Sequence, residues 1–299
     1  MWLFLALISA ILLGSYEVFK KVSLKDNAVI PVILVSILFS CMTLLPFLIL
    51  SEFFPHTIRD SIFFVPRVNF QAHMLFVLKA VIVLTSWLFA YFALKHLPLS
   101  LASPIKATQP VWTVVGAMLI FGEKLNGFQA AGVGITLVSF FMFSVVGKKE
   151  GISFRTNKWF WFIVMATLTG AISGLYDKYL MSKYDVMSVQ VYYTFYQAII
   201  MGLITLFLWA PTRKKTTPFK FKWAIFWISF FLVTADFVYF YALTLPDSMI
   251  SVVSTIRRSG VIVPFFYGAF VLRDKNIKLK IIDLIGVLIG MLLLFLGSK

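Results

Sequence analysis

The chain has 299 residues, 61% of them hydrophobic and only 13% charged, with a mean hydropathy of +0.94. Soluble globular chains run near 45–50% apolar and about 25% charged, so composition excludes a water-soluble domain and points to an integral membrane protein. The formal charge of +15 is not a nucleic-acid signature, because most of it falls in short segments between apolar runs, where lysine and arginine set topology.

A helix needs roughly 20 apolar residues to cross a bilayer. Runs of that length, bounded by turn and charge signals, predict ten helices at 2–23, 28–52, 70–94, 99–121, 126–146, 158–181, 186–210, 222–245, 248–271 and 279–297. The strands of a membrane barrel need only about 10 alternating residues, which these runs do not resemble. The start MWLFLALISA lacks a basic n-region and a small-residue cleavage site, and reads as the first span, not as a signal peptide. The single cysteine, Cys41, excludes an intrachain disulfide framework, and His56, His73 and His96 are scattered near span ends. No metal and no cofactor is expected.

The polar linker GKKEGISFRTN (147–157) divides the chain into a first repeat, 1–147, and a second, 148–299, of five spans each. A basic motif recurs in both: SPIKAT (Ser103 to Thr108) and STIRRS (Ser254 to Ser259). Each is followed by an apolar run, by Gly-Ala (Gly116-Ala117, Gly268-Ala269), and by a charged turn, Gly122-Glu123-Lys124 or Arg273-Asp274-Lys275. Gly14-Ser-Tyr16-Glu17 matches Gly174-Leu-Tyr176-Asp177, Tyr91-Phe-Ala-Leu94 matches Phe240-Tyr-Ala-Leu243, and Pro98 matches Pro246. Cations at membrane depth cost about 2.5–3.5 kcal/mol each on insertion scales, and a cost repeated in both halves points to use. Five is an odd number, so the second half enters from the opposite side of the membrane. The expectation is an all-α integral membrane protein of ten transmembrane helices, two inverted five-helix repeats around a central cavity, with the substrate site at their interface.

Loop charge addresses orientation. The loops after spans 1, 3, 5, 7 and 9 hold 17 lysines and arginines against 5 in the opposite loops and C-terminus. By the positive-inside rule this favours both termini outside the cytoplasm. The other five basic residues, Lys79, Lys106, Lys178, Arg257 and Arg258, lie within spans.

At these motifs the chain resembles the drug/metabolite transporter superfamily, and its EamA-type ten-span branch in particular, over nearly its whole length. The most specific segments are IKATQPVWTVVGAMLIFGEKL (105–125) and its echo IRRSGVIVPFFYGAFVLRDKN (256–276). The resemblance implies a secondary transporter or exporter, not an enzyme, in the bacterial cytoplasmic membrane, with both termini in the cytoplasm. Within the superfamily, Ile105-Lys106-Ala107 with Gln109-Pro110 is similar to the fourth-span segment of plastid triose-phosphate translocators, and Arg257-Arg258 falls where their ninth-span basic pair lies. That similarity implies an anionic cargo gripped by Lys106, Arg257 and Arg258.

The residues carry the same reading and its alternatives. Guanidinium presents a planar fork to phosphate or carboxylate and ammonium a point charge; otherwise these cations pair internally with Glu17, Asp177 or Asp236. Glu17 and Asp177 are matched acids, candidates for proton coupling or for pairing near the span ends with Lys20 or Lys178. Asp236 is a third coupling candidate or a structural acid that needs a partner on another helix, for which Lys79 or a ninth-span arginine is available; Lys79 is either that partner or a substrate-binding cation of the cavity. Gln109, Trp87, Tyr91, Trp112 and Tyr239 lie deep enough to line a cavity or to pack. Gly286-x-x-x-Gly290 and Ala130-x-x-x-Gly134 permit close helix contact, within one molecule or in a homodimer. The leading expectation is alternating-access transport of a small anionic or zwitterionic metabolite such as an organic phosphate, carboxylate or amino acid. The alternatives are proton-coupled efflux of organic cations through Glu17 and Asp177, and a membrane enzyme acting on lipid-linked substrates. The expected partners are a small-molecule substrate, the lipid bilayer and protons, with no nucleic acid, for a monomer or homodimer.

Overall fold

A computed structural model describes residues 2–121, 126–149, 156–245 and 250–297. Most of the polar segment 147–157, the turn Gly122–Leu125 and Pro246 lie outside the described residues, as does the side chain of Lys178. Among the described residues the structure is helical throughout, without strands. The helices are α1 (Trp2–Leu24), α2 (Val29–Phe53), the short α3 (Pro55–Ile58) and α4 (Phe70–His96). They continue with α5 (Leu99–Ala107), α6 (Gln109–Phe121), α7 (Gly127–Lys149), α8 (Lys158–Met181) and α9 (Val186–Ile204). The last are α10 (Ala224–Thr244), α11 (Ile250–Ser259), α12 (Ile262–Phe266) and α13 (Ile277–Gly297).

Seven segments among the described residues are long and apolar enough to cross a membrane: α1, α2, α4, α8, α9 extended to Thr212, α10 and α13. Their outward faces identify the solvent. On α2, Leu38, Met42, Leu45, Ile49 and Phe53 form one exposed stripe at helical spacing, and on α13 Ile282, Ile285, Ile289, Leu292 and Leu296 form another. Apolar stripes this long belong against lipid. The opposite face of α2, with Ile33, Ile37, Cys41 and Leu44, is buried in the protein.

The expected fourth and ninth spans are not continuous helices. The fourth breaks at Thr108 between α5 and α6, and the ninth breaks at Gly260–Val261 between α11 and α12 and ends in a π turn, Tyr267–Val271. Proline explains both breaks. Pro110 and Pro264 lack the amide that would bond four residues back, to the carbonyls of Lys106 and Gly260, and the ring crowds that carbonyl. Tighter three-residue bonds take over: Val111 N donates to Thr108 O at 3.0 Å, and Val263 N to Gly260 O at 3.1 Å.

Helix α1 packs on α10 and α4 on α8, while α2 packs on α9 and α7 on α13. Broken α5–α6 packs on α8, and broken α11–α12 on α1. Exchanging the first five segments with the last five maps each of these pairs onto another or onto itself. The α7–α13 seam is close because it is built on small residues. A Cβ on Gly290 would stand 2.0 Å from Thr136 Oγ1 and 2.9 Å from Gly132 O, and one on Gly286 would stand 2.0 Å from Ser139 Oγ. On α7 the seam therefore follows Gly132, Thr136 and Ser139. The Ala130–Gly134 pair read from the sequence is exposed, and a Cβ on Gly134 meets nothing within 4 Å; helical phase turns that motif away.

Candidate functional site

Each broken segment ends its first helix on a cation. Lys106 occupies the last turn of α5, and Arg257 with Arg258 the last turn of α11. A helix C-terminus carries negative partial charge, and cations there are favoured. The breaks thus put each positive side chain in a last helical turn, beside the partial negative charge of a helix end.

A small cavity of about 40 Å³ opens between these two breaks and α1, lined by Glu17, Ser103, Lys106, Arg257 and Arg258 among others. Lys106 Nζ donates to Glu17 Oε1, and Lys20 Nζ lies 2.7 Å from the other carboxylate oxygen. Lys20 is fully buried, with its ammonium 4.5 Å above the Tyr16 ring and 4.9 Å above the Tyr91 ring. Across the cavity, Arg257 donates to Asp236 of α10 and stacks over the Tyr239 ring at 4.3 Å. Arg258 has no carboxylate within salt-bridge distance among the described residues. Around the cavity stand four cations, Lys20, Lys106, Arg257 and Arg258, and two carboxylates, Glu17 and Asp236. The excess is two formal positive charges. Two buried polar atoms on its wall, Ser103 Oγ and Arg257 Nε, have no hydrogen-bond partner.

A further ion pair links α4 to α8, where Lys79 Nζ donates to Asp177 Oδ1. Lys79 also lies 4.6 Å over the ring of Tyr193, whose hydroxyl reaches Asp236 Oδ2 at a long 3.5 Å. The Lys79–Asp177 and Arg257–Asp236 pairs are therefore bridged by one tyrosine.

The structure sorts the residues singled out from the sequence. Lys106, Arg257, Arg258 and Glu17 share one cavity wall, with Asp236 and Tyr239 directly behind Arg257. Tyr91 closes over Lys20, and Trp87 lines a second, smaller cavity. Gln109 does not line the main cavity: its Nε2 donates to Gly170 O at 2.7 Å, and its amide fills the space a side chain at position 170 would take. Trp112 donates to Thr108 Oγ1 at 3.3 Å, one turn back on its own segment. Lys20, counted among the loop cations, belongs to the buried cluster and pairs with Glu17, as the internal-pairing alternative had it; the two stand three residues apart on one helix face. Glycines make the site compact. A Cβ on Gly260 would stand 2.1 Å from Ala10 O, and one on Gly14 would stand 2.5 Å from Gly260 O, so α1 crosses the ninth-segment break in backbone contact.

One end of the broken pair is clasped. Asp274 Oδ2 accepts from Ser100 N at 2.9 Å and from Ser100 Oγ at 2.6 Å, and the buried Lys280 donates to Ser100 Oγ at 3.0 Å. The carboxylate sits in the first turn of α5, where negative charge is favoured.

Residues 1–145 match the model of the EamA-like transporter family. No curated protein matches the chain significantly. Twenty-five chains of solved structures match its fold. One, described as a crystal structure of a protein, superposes with a TM-score of 0.60 at 14% identity, covering 98% of this chain and 96% of that one. At that identity the likeness concerns the fold alone. The family match likens residues 1–145, just under half of the chain, to EamA-like transporters.

Proposed function

We propose that this chain carries a small anionic or zwitterionic metabolite across the membrane by alternating access, as a secondary transporter. The observation that carries the reading is the cavity between the two broken helices, walled by two more cations than carboxylates. Buried charge without a partner is costly, and a phosphate or carboxylate entering this space would meet Arg258 and the free Arg257 Nε as charge-assisted donors. The carboxylates a cationic cargo would need are already engaged: Glu17 by two lysines, Asp177 by Lys79 and Asp236 by Arg257.

The ten-segment organisation, with repeats at 1–147 and 148–299 in inverted orientation, belongs to the same reading and is supported by the exchange relation among packing pairs. A cavity of about 40 Å³ holds a few waters, since one needs roughly 10–15 Å³. It is far below the roughly 300 Å³ of a small ligand pocket. We read this conformation as closed around the site, with the broken helices separating to admit substrate.

The test is uptake by purified protein in liposomes against organic phosphates, carboxylates, amino acids and quaternary amines, with and without a pH gradient. Anion uptake that Lys106→Ala and Arg257→Ala abolish, and Arg257→Lys restores in part because ammonium lacks the bidentate fork, is the expected result. Uptake of quaternary amines alone would overturn it.

A further inference from the structure

The second cavity lies on the far side of the Asp236–Arg257 pair, among α2, α4, α9 and α10, and has room for about 10 Å³. Its wall includes Ser40, Gln190, Tyr193, Thr194, Gln197 and Asp236. On α9, positions 190, 193, 194 and 197 share one helix face at the spacing of successive turns. Membrane helices bury amides at a cost, and buried polar groups are normally paired.

Two of these are not. Gln190 Nε2 donates to Val233 O at 3.2 Å, which fixes the orientation of the amide and leaves Oε1 as a buried acceptor without a partner. Gln197 Nε2, one further turn-pair along the helix, is a buried donor without a partner. The residues are 2% and 1% exposed, so both amides are withdrawn from lipid and from bulk solvent. A free acceptor and a free donor at one small void fit a group that both donates and accepts. A hydroxyl or a primary amide does so; a methyl or a bare carboxylate does not. Asp236 lines this void, and its partner Arg257 lines the main cavity. The two spaces therefore share the ion pair as a common wall.

We infer that the second cavity is a subsite for an uncharged hydroxyl or amide group of the cargo, whose anionic head sits at Lys106, Arg257 and Arg258. The inference rests on the anion reading above and adds a selection rule: hydroxylated anions are preferred over their deoxy counterparts. A site built to hydrogen-bond a hydroxyl discriminates against the analogue that lacks it, because its own polar groups are then left unpaired.

Binding of glycerol 3-phosphate and of propyl phosphate to the purified full-length protein, each titrated against inorganic phosphate, tests the rule. The two esters share head group and carbon count and differ in two hydroxyls. The expected result is a preference of about tenfold or more for glycerol 3-phosphate in the wild type, from one or two added hydrogen bonds. Gln197→Met, similar in length and without the donor, should erase that preference and bring the two esters to equal affinity. Gln190→Met supplies a second variant should the first fail to give monodisperse protein. An unaltered preference in a folded methionine variant, or equal affinity for both esters in the wild type, overturns the subsite and leaves the anion site standing. If neither ester binds, the phosphate form of the anion reading fails and the subsite with it.

Discussion

Replacing Asp236 by Asn should strengthen anion binding, even though it removes a buried charge. Arg257 and Asp236 are paired with side chains only 11% and 14% exposed, so the guanidinium that would meet an anion is already held by one. An entering phosphate must displace that carboxylate or share its partner. A hydrogen bond to a charged group contributes about 1.5–3 kcal/mol net, and each 1.4 kcal/mol is a factor of ten. Asparagine keeps the shape and an acceptor oxygen and loses the competing charge. Its effect on anion affinity should be a gain of about tenfold or more.

Arg257→Ala acts in the opposite direction and on two quantities. It strands Asp236 without a counter-charge, a loss of about 3–5 kcal/mol of stability for a buried pair, and it removes the contact to the anion. The double variant Asp236→Ala with Arg257→Ala discards both charges, and should recover much of that stability while recovering none of the affinity. Thermal unfolding of the four proteins, with and without titrated phosphate esters, separates the two effects. If Asp236→Asn weakens anion binding in step with its loss of stability, Arg257 is only a structural partner of Asp236.

Gly260→Ala should destabilise the protein or abolish transport, because the added Cβ meets Ala10 O at 2.1 Å and both atoms are tied to backbone; Gly134→Ala, with open space at the same distance range, should stay within about 0.5 kcal/mol of wild type. Melting temperature and liposome uptake read both, and an innocuous Gly260→Ala would show that α1 is free to move away from the break. For coupling, Glu17→Gln and Asp177→Asn should lose the response to a pH gradient yet still exchange substrate for substrate. Unchanged gradient-driven uptake in the double amide variant would rule out both acids and leave Asp236 as the candidate.

The sequence made the charges legible and left their partners mostly hidden. Membrane class and helical architecture followed from apolar run lengths, since in lipid a backbone must satisfy its own hydrogen bonds. Lys106 and Arg257 stood out because cations at that depth are rare. That Asp236 needs a partner on another helix was also readable, and the ninth segment provides it. Helix phase was the weak point. Gly134 and Ala130 turn outward, and the α7 seam runs through Gly132 instead. Gln109 docks on Gly170 because its phase beyond the Thr108 break differs from that of Lys106 before it. Gln190 and Gln197 were not singled out at all. Glutamine in an apolar run gives no local sign of whether its amide is satisfied, which depends on carbonyls of α10 far along the chain.

The two prolines join the fold to its chemistry. Pro110 and Pro264 each interrupt a helix just beyond a cation, so the partial negative charge of a helix C-terminus falls beside that cation. An unbroken helix at either position would present the same lysine or arginine from a rigid rod. With a break, the segment before the cation and the segment after it are separately held: α5 by the Asp274–Ser100 clasp at its N-terminus and α6 by contact with α8. In the ninth segment α11 and α12 both rest on α1, and the close Gly14–Gly260 crossing falls between them. Under the alternating access proposed above, a cavity this small, bordered by two broken segments, would open by moving one half-helix at a time. Motion of that kind changes which end of the site faces water while leaving the Lys106–Glu17 and Arg257–Asp236 pairs at the pivot. On the same proposal, pairs that join Lys106 to Glu17 and Arg257 to Asp236 would let the closed state form on the protein's own charges, and an anion would then compete for the same two cations.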